Sequence, residues 1–115
     1  MDVSRIQSAL QAFAEERDWN QFHSPKNLAT ALCVEASELL EHFQWLTQEQ
    51  SAQLDEATLE ALSSEVADVQ IYLLRLADKL GIDIESAVDA KMAENRQKYP
   101  ADRVRGSAAK YTEYE

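Results

Sequence analysis

Glycine, proline and cysteine are scarce in this chain of 115 residues, which contains two, two and one of them. So few glycines and prolines leave little turn chemistry for a β-sandwich or a β-barrel, which need tight turns between many short strands. The lone Cys33 excludes an internal disulfide, and its apolar neighbours favour the role of a small buried hydrophobe. Helix-forming residues dominate instead. The sequence therefore predicts a single all-α domain over residues 1–115.

The chain also has few basic residues and lacks long apolar runs. The chain has 11 Lys and Arg against 21 Asp and Glu, which gives a formal net charge of −10. Such a protein repels phosphates, so we expect no nucleic-acid partner, and a free nucleotide approaches only where metal ions or a local basic cluster reverse the field. No apolar stretch approaches the ~20 residues of a membrane span and no signal peptide opens the chain. We expect a cytoplasmic protein without a membrane partner.

Apolar periodicity predicts four helices, over about 3–17, 25–44, 57–80 and 84–99. Ser24 followed by Pro25 is typical of a helix start, Gly81 of a helix end, and Pro100 of a stop. The polar stretch 46–56 is expected to be a loop with a short turn. Residues 101–115 are expected to form a polar tail or a flap that closes over a ligand.

The third predicted helix is apolar on more than one side. Seven residues alternate at spacings of three and four, while Ile71 and Leu74 add apolar surface elsewhere. A helix of this kind needs more than one covering neighbour. We therefore expect a four-helix bundle-like fold whose core is completed by a homodimer or a homotetramer. The residues of the seam are Leu59, Leu62, Val66, Val69, Leu73, Leu76 and Leu80.

Two pairs of acidic residues share one helical spacing: Glu35 with Glu38, and Glu65 with Asp68. Residues three apart lie on the same helix face, with Cβ atoms roughly 5–6 Å apart. Both pairs are interleaved with apolar residues, and Glu35 takes a position in the apolar stripe of its helix. A solvated acidic face is one interpretation and a joint metal site is the other, which this context favours. Carboxylates without thiolate or imidazole neighbours favour Mg²⁺, with Mn²⁺ as a substitute, and missing Glu-x-x-His pairs argue against di-iron.

Other residues are suited to a nucleotide. On the fourth helix Lys91 and Asn95 are one turn apart, where they either cover apolar surface or contact phosphate oxygens. Both tryptophans, Trp19 and Trp45, lie near helix ends, where they pack on the core or stack on a base. His23 either donates a hydrogen bond to a base or phosphate, or satisfies a loop carbonyl.

The order of these motifs resembles that of the MazG-like all-α nucleoside triphosphate pyrophosphatases, most of all their dCTP pyrophosphatase branch. The similarity covers nearly the whole chain, and the acidic pairs followed by K-x-x-x-N are specific in combination. One departure leaves cytosine selectivity open, because Leu10 stands where animal dCTP pyrophosphatases have a histidine. The segments that carry the resemblance are RDWNQFHSPKNL, EASELLEHFQW, EVADVQIYLLRLA, KMAENRQKYP and RGSAAKYT.

This resemblance implies a fold, an activity and a set of site residues. The family cleaves a nucleoside triphosphate to the monophosphate and pyrophosphate, in helical bundles of dimers or tetramers. Lys91 and Asn95 would approach the phosphates. Mg²⁺ would be held by Glu35, Glu38, Glu65 and Asp68, and the base and sugar by Trp19, His23, Trp45 and Tyr72.

The predicted function is therefore Mg²⁺-dependent hydrolysis of a free nucleoside triphosphate, with dCTP or a modified dCTP as a candidate, in nucleotide-pool house-cleaning. Glu38 or Glu41 is expected to orient or deprotonate the attacking water, and Lys91 to hold the charge of the departing pyrophosphate. Two alternatives stay open. One is a helical oligomer that binds metal and nucleotide without turnover, and the other is a structural oligomer whose acidic residues are solvated.

Overall fold

The computed structural model describes residues 1–108, and within them the chain forms helices and turns but no strand. This confirms the all-α prediction, and each of the four predicted helices is present. Residues 1–81 form one compact unit, and a second begins at Ile82. In chain order the elements are α1 (Val3–Glu16), a 3₁₀ turn (Asn20–Phe22), α2 (Pro25–Glu41), α3 (Gln48–Ser51), α4 (Glu56–Lys79), α5 (Ile84–Lys98) and α6 (Ala101–Val104).

The four long helices begin at side-chain caps. Asp2, Ser24, Asp55 and Asp83 each accept a hydrogen bond from the backbone N–H three residues further on, at 3.0, 3.1, 2.8 and 3.1 Å. Each cap satisfies one of the N–H groups that a helix start leaves without an intrahelical partner. Short polar residues ahead of apolar periodicity therefore fix where these helices start.

Helix α1 ends in a turn that positions an aromatic pair. Asp18 adopts the left-handed conformation, with φ of 55°. The N–H of Asp18 donates to the carbonyl of Glu15 at 3.1 Å, and the N–H of Trp19 donates to that of Ala14 at 2.9 Å. These two bonds form a Schellman motif. The Trp19 ring consequently lies edge-on to the Phe13 ring, 5.6 Å between centroids.

The first unit is built on α4. Helix α2 runs antiparallel to it: His23, two residues before α2, contacts Arg75 near the end of α4, whereas Glu35 and Glu38 in the second half of α2 lie near Glu65 in the first half of α4. Helix α1 packs on α4 as well, and Gln7 Nε2 donates to the carbonyl of Leu74 at 3.0 Å. The buried apolar side chains of this small core are Ala14, Leu28, Leu62, Leu74 and Ala77.

Two local predictions were wrong, the end of α2 and the burial of Cys33. Helix α2 ends at Glu41 rather than near residue 44. The short turn expected in the following loop is present as α3, where Thr47 and Gln50 form a capping box. Cys33 is exposed, not buried. It follows Leu32 by one residue, so its side chain points about 100° away from the apolar stripe of α2.

Several large apolar side chains of the single chain are exposed. On α4, Leu59, Val66 and Leu80 are each about half exposed, although all three belong to the predicted seam. The one-chain core thus leaves part of that seam uncovered.

The second unit contains α5 and α6. Glu94 of α5 pairs with Lys91 at 3.3 Å and with Lys98 at 2.7 Å. Helix α6 is one turn long and occupies the start of the segment expected to be a tail or flap; residues 109–115, including Lys110, lie outside the described residues. Among residues 1–108, no helix combines the length and the apolar content that crossing a membrane requires.

Candidate metal and nucleotide site

Helices α2 and α4 bring three carboxylates together. Glu35 and Glu38 lie one turn apart on α2, and Glu65 faces them from α4. One oxygen from each residue lies within 4.8 Å of the other two, and all three residues are half-buried. Because α2 and α4 are antiparallel, the two acidic pairs of the sequence meet at the same level of the helix pair.

The carboxylates of this cluster lie close together without cationic partners among residues 1–108. Oε2 of Glu35 and Oε2 of Glu65 are buried, and neither has a hydrogen-bond partner among residues 1–108. The pKa of Glu35 is raised to about 7. The largest cause is a hydrogen bond with Glu38, followed by burial, the negative charge of Glu38, a hydrogen bond with Glu65 and the charge of Asp68. Carboxylate oxygens without donors are ligands for a hard divalent cation, so the residues present fit such an ion.

Two further acidic residues, Asp68 and Glu41, lie outside the cluster and differ in burial. Asp68 is half-buried one turn after Glu65, and its charge contributes to the raised pKa of Glu35, but it is not among the three mutually close carboxylates. Glu41 is exposed at the end of α2 and is also outside that group. The structure therefore assembles three of the four predicted metal ligands.

One face of α4 changes from acidic to basic along its length. Five residues at spacings of three and four lie within an arc of about 80° on a regular α-helix. The last two are cationic, one of them buried and one exposed. This face joins the carboxylate cluster to a polar network at the other end of the helix. Its residues are Glu65, Asp68, Tyr72, Arg75 and Lys79.

Arg75 is the centre of that network. It is 2% exposed, and its guanidinium donates to Gln11 Oε1 at 2.6 Å and to Asn20 Oδ1 at 2.9 Å. Its Nη2 also lies 3.0 Å from His23 Nδ1, while Nε is buried without a hydrogen-bond partner among residues 1–108. No carboxylate belongs to its hydrogen-bonding set in this part of the chain. A buried cation is thus held by neutral groups alone.

His23 lies between this network and the exposed aromatic residues. Burial lowers its pKa below the ordinary value of 6.5, and the positive charges of Arg75 and Lys79 lower it further. Its ring lies 6.5 Å from the ring of Trp19, edge-on, and Trp19 is 44% exposed. The neutral imidazole and the indole form the part of the predicted base pocket that the structure brings together.

The remaining predicted residues are more dispersed. Tyr72 is half-buried on the same face of α4 as the carboxylates, whereas Trp45 is 86% exposed beyond α2 and makes no ring contact within residues 1–108. Lys91 and Asn95 are exposed on α5, in the second unit, and Lys91 pairs with Glu94. The phosphate-binding role of Lys91 and Asn95 stays a prediction.

Sequence reasoning missed the Arg75 network. The sequence carries one signal for it, a lone arginine inside the apolar run YLLRLA. An arginine there must either reach solvent or find buried acceptors. Nothing in the sequence identifies Gln11 and Asn20 as those acceptors, because they are more than fifty residues away.

Known proteins resemble this chain over most of its length. The family model described as MazG-like family matches residues 30–114. The chain is 45% identical over 114 residues to dCTP pyrophosphatase 1 of Mus musculus, and equally to that of Homo sapiens, covering 97% of this chain and 65% of each relative. A solved structure of a pyrophosphatase from Archaeoglobus fulgidus has a TM-score of 0.82 and 38% identity, covering 87% of this chain and 94% of that one. The chain thus spans slightly less than two thirds of the length of the mouse and human relatives.

Proposed function

Because the chain belongs to the MazG-like family, we propose that it hydrolyses a nucleoside triphosphate to the monophosphate and pyrophosphate with a divalent metal ion. The observation that carries this proposal is the cluster of three carboxylates, in which two buried oxygens have no hydrogen-bond donor within residues 1–108. The names of the relatives support the reaction, since two are dCTP pyrophosphatases and one is a pyrophosphatase.

The proposed metal is Mg²⁺, with Mn²⁺ as a substitute, held by Glu35, Glu38, Glu65 and Asp68. When bound, the ion supplies neutralisation of the triphosphate and a lowered pKa for water. An anionic chain with a net charge of −10 otherwise repels the substrate. Carboxylate oxygens are the ligands that Mg²⁺ and Mn²⁺ prefer, which supports these ions over Zn²⁺.

The protein side chains have separate tasks in this proposal. Glu38 or Glu41 accepts a proton from the attacking water, whose oxygen forms a bond to the α or the β phosphorus. The bond between that phosphorus and the bridging oxygen breaks, and either route yields the monophosphate and pyrophosphate. Lys91 and Asn95 bind phosphate oxygens, and Lys91 balances the charge that develops on the departing group.

We propose a deoxycytidine triphosphate, natural or modified, as the first substrate to test. Trp19 and Trp45 offer exposed indole faces for stacking on a base, worth about 1–3 kcal/mol per base. His23, whose ring lies 6.5 Å from that of Trp19, and Tyr72 of α4 add polar groups. Leu10 is half-buried on α1 and offers no hydrogen bond, so cytosine selectivity must come from other residues.

The proposed assembly is a homodimer or a homotetramer that completes the core and the site. The half-exposed Leu59, Val66 and Leu80 of α4 support it, because apolar side chains left in water do not stabilise a monomer and are buried when a second copy covers them. Size-exclusion chromatography with light scattering measures the mass. A monomer at micromolar concentration would contradict this part of the proposal.

The decisive experiment is pyrophosphate release from a panel of canonical and modified dNTPs, with Mg²⁺ and with EDTA. Glu38→Gln is expected to abolish release, because it removes a carboxylate from the cluster. Glu60→Gln is the matched control, since Glu60 is an exposed residue of α4 outside the cluster. Metal-dependent nucleotide binding without pyrophosphate from any member of the panel would favour the non-catalytic alternative.

A further inference from the structure

The hydrogen bonds around Arg75 determine the state of a residue they enclose. A guanidinium carries N–H donors and has no acceptor, and it stays charged in proteins. The His23 nitrogen that lies 3.0 Å from Arg75 Nη2, Nδ1, must therefore accept. An imidazole whose Nδ1 accepts a hydrogen bond carries its single proton on Nε2.

Further hydrogen bonds hold His23 and Arg75 in this relative position. The N–H of His23 donates to the carbonyl of Asn20 at 3.1 Å, and Asn20 Oδ1 accepts from Arg75. Gln11 holds the guanidinium through its other nitrogen, Nη1. The main-chain bond thus holds His23 within the turn, and the Asn20 side chain joins the turn to Arg75 of α4, so the imidazole has little freedom to turn its other nitrogen toward Arg75.

The charges that face His23 favour the neutral ring. Arg75 and Lys79 approach it from α4, and Lys79 Nζ lies 3.4 Å from the Asn20 Oδ1 that Arg75 also contacts. Trp19 and Asn20 on its own turn and Gln11 on α1 carry no charge. Burial first, and these two cations second, lower the pKa of His23. A doubly protonated imidazolium would place Nδ1–H against a guanidinium N–H.

The position of His23 relates this network to the nucleotide. Arg75 follows Asp68 by seven residues on the same face of α4, which is about 10 Å along the helix axis. His23 contacts Arg75 through Nδ1, and its ring also lies edge-on to the half-exposed Trp19, 6.5 Å between centroids. We propose that Arg75 is a positioning residue that holds His23 as the Nε2–H tautomer, which donates a hydrogen bond to a nucleotide stacked near Trp19. This inference rests on the nucleotide function proposed above.

The first test is ¹⁵N NMR of the two histidine rings in the full chain, with His42→Gln to assign His23. We expect an unprotonated Nδ1 and a protonated Nε2 in the wild type. Arg75→Met is expected to populate both tautomers, whereas Gln11→Met, which removes an acceptor of Arg75 but leaves the His23 contact, is expected to keep Nε2–H. A wild-type Nδ1–H tautomer, or an unchanged ratio in folded Arg75→Met, would overturn the proposal. If Arg75→Met does not fold, the wild-type spectrum decides alone.

The second test is binding of an α,β-methylene analogue of dCTP with Mg²⁺, measured by calorimetry. Arg75→Met and His23→Phe are each expected to weaken binding about tenfold, the loss of roughly one hydrogen bond. The double variant is expected to bind no more weakly than either single variant, because both changes remove the same interaction. Additive losses, about a hundredfold together, would show that Arg75 acts independently of His23 and would overturn the proposal.

The two tests distinguish this inference from the proposed function. A wild-type chain with the Nε2–H tautomer that binds no nucleotide of the panel would overturn the proposed function and the hydrogen bond from His23 to a nucleotide, but not the hold of Arg75 on the tautomer. Normal nucleotide binding with an Nδ1–H tautomer would overturn only the role of Arg75.

Discussion

The carboxylate cluster predicts opposite effects of one substitution in the absence and in the presence of metal. Glu35→Gln removes a negative charge from a place where three carboxylate oxygens lie within 4.8 Å of one another and two buried oxygens have no donor in the described part of the chain. Without metal, the variant is expected to be more stable than the wild type. With metal, it is expected to be less stable, because it has lost a ligand.

The sizes of these effects follow from ligand linkage and from the pKa of Glu35. A free metal concentration of roughly 100 times Kd raises the free energy of unfolding of the wild type by about 2.7 kcal/mol. For a chain of this size, that corresponds to an increase of about 10 °C in Tm. In EDTA, the raised pKa means that the folded state binds the Glu35 proton more tightly than the unfolded chain. That stabilisation is complete below the ordinary pKa of 4.5 and is lost as pH rises through the raised pKa of about 7. The advantage of Glu35→Gln over the wild type therefore grows over this range.

Differential scanning calorimetry of both proteins at several pH values, in EDTA and in Mg²⁺ or Mn²⁺, measures these differences. Glu60→Gln serves as the control: Glu60 is exposed and outside the cluster, so the Tm of this variant should respond to metal and to pH as the wild type does. A wild type whose Tm ignores both ions, or a Glu35→Gln variant that is less stable in EDTA at pH 8, would refute the reasoning.

Three further changes test other parts of the molecule. Leu28→Ala is expected to cost about 3 kcal/mol in urea unfolding, because Leu28 is 1% exposed between α2 and α4, and a loss under 1 kcal/mol would mean that the site collapses around the cavity. Gly81→Ala is expected to cost about 1 kcal/mol from backbone strain alone, since Gly81 has φ of 67° and open space at its Cβ; an unchanged unfolding midpoint would argue against that conformation. Trp45→Ala is expected to raise KM more than it lowers kcat, because its 86% exposed indole is free to stack on a base, whereas a pure kcat loss would place it in the chemistry or the scaffold.

Local chemistry made the helices predictable from the sequence. Ser24 and Asp83 cap helices that begin where polar caps precede apolar periodicity, and Gly81 ends one as expected. The capping box of Thr47 and Gln50 likewise starts α3, the short turn expected in the loop. The exposure of Cys33 depends on an angular offset of one residue, which composition of the neighbourhood does not reveal.

Part of the candidate site was equally readable, since an acidic residue in an apolar stripe pointed to Glu35 before its partners were known. The meeting of Glu35 with Glu65 required the antiparallel packing of α2 and α4, which the sequence only suggested. The Arg75 network could not be foreseen, because its acceptors come from α1 and the 3₁₀ turn, and only tertiary structure decides which distant side chains meet. The roles of Lys91 and Asn95 stay predictions.

Because its acidic and basic ends belong to one continuous helix, α4 also sets the distance and the relative direction between the carboxylate cluster and the Arg75 network. Between Asp68 and Arg75 the separation is set by the rise per residue, and their shared direction by the twist. Insertion of a single residue between Asp68 and Arg75 would rotate one end of the helix by about 100° about its axis relative to the other end. The carboxylates and His23 would then no longer lie on the same side of α4. Substitutions in this segment should therefore be tolerated far better than insertions or deletions, whereas the connection of residues 42–55 can change in length without that penalty.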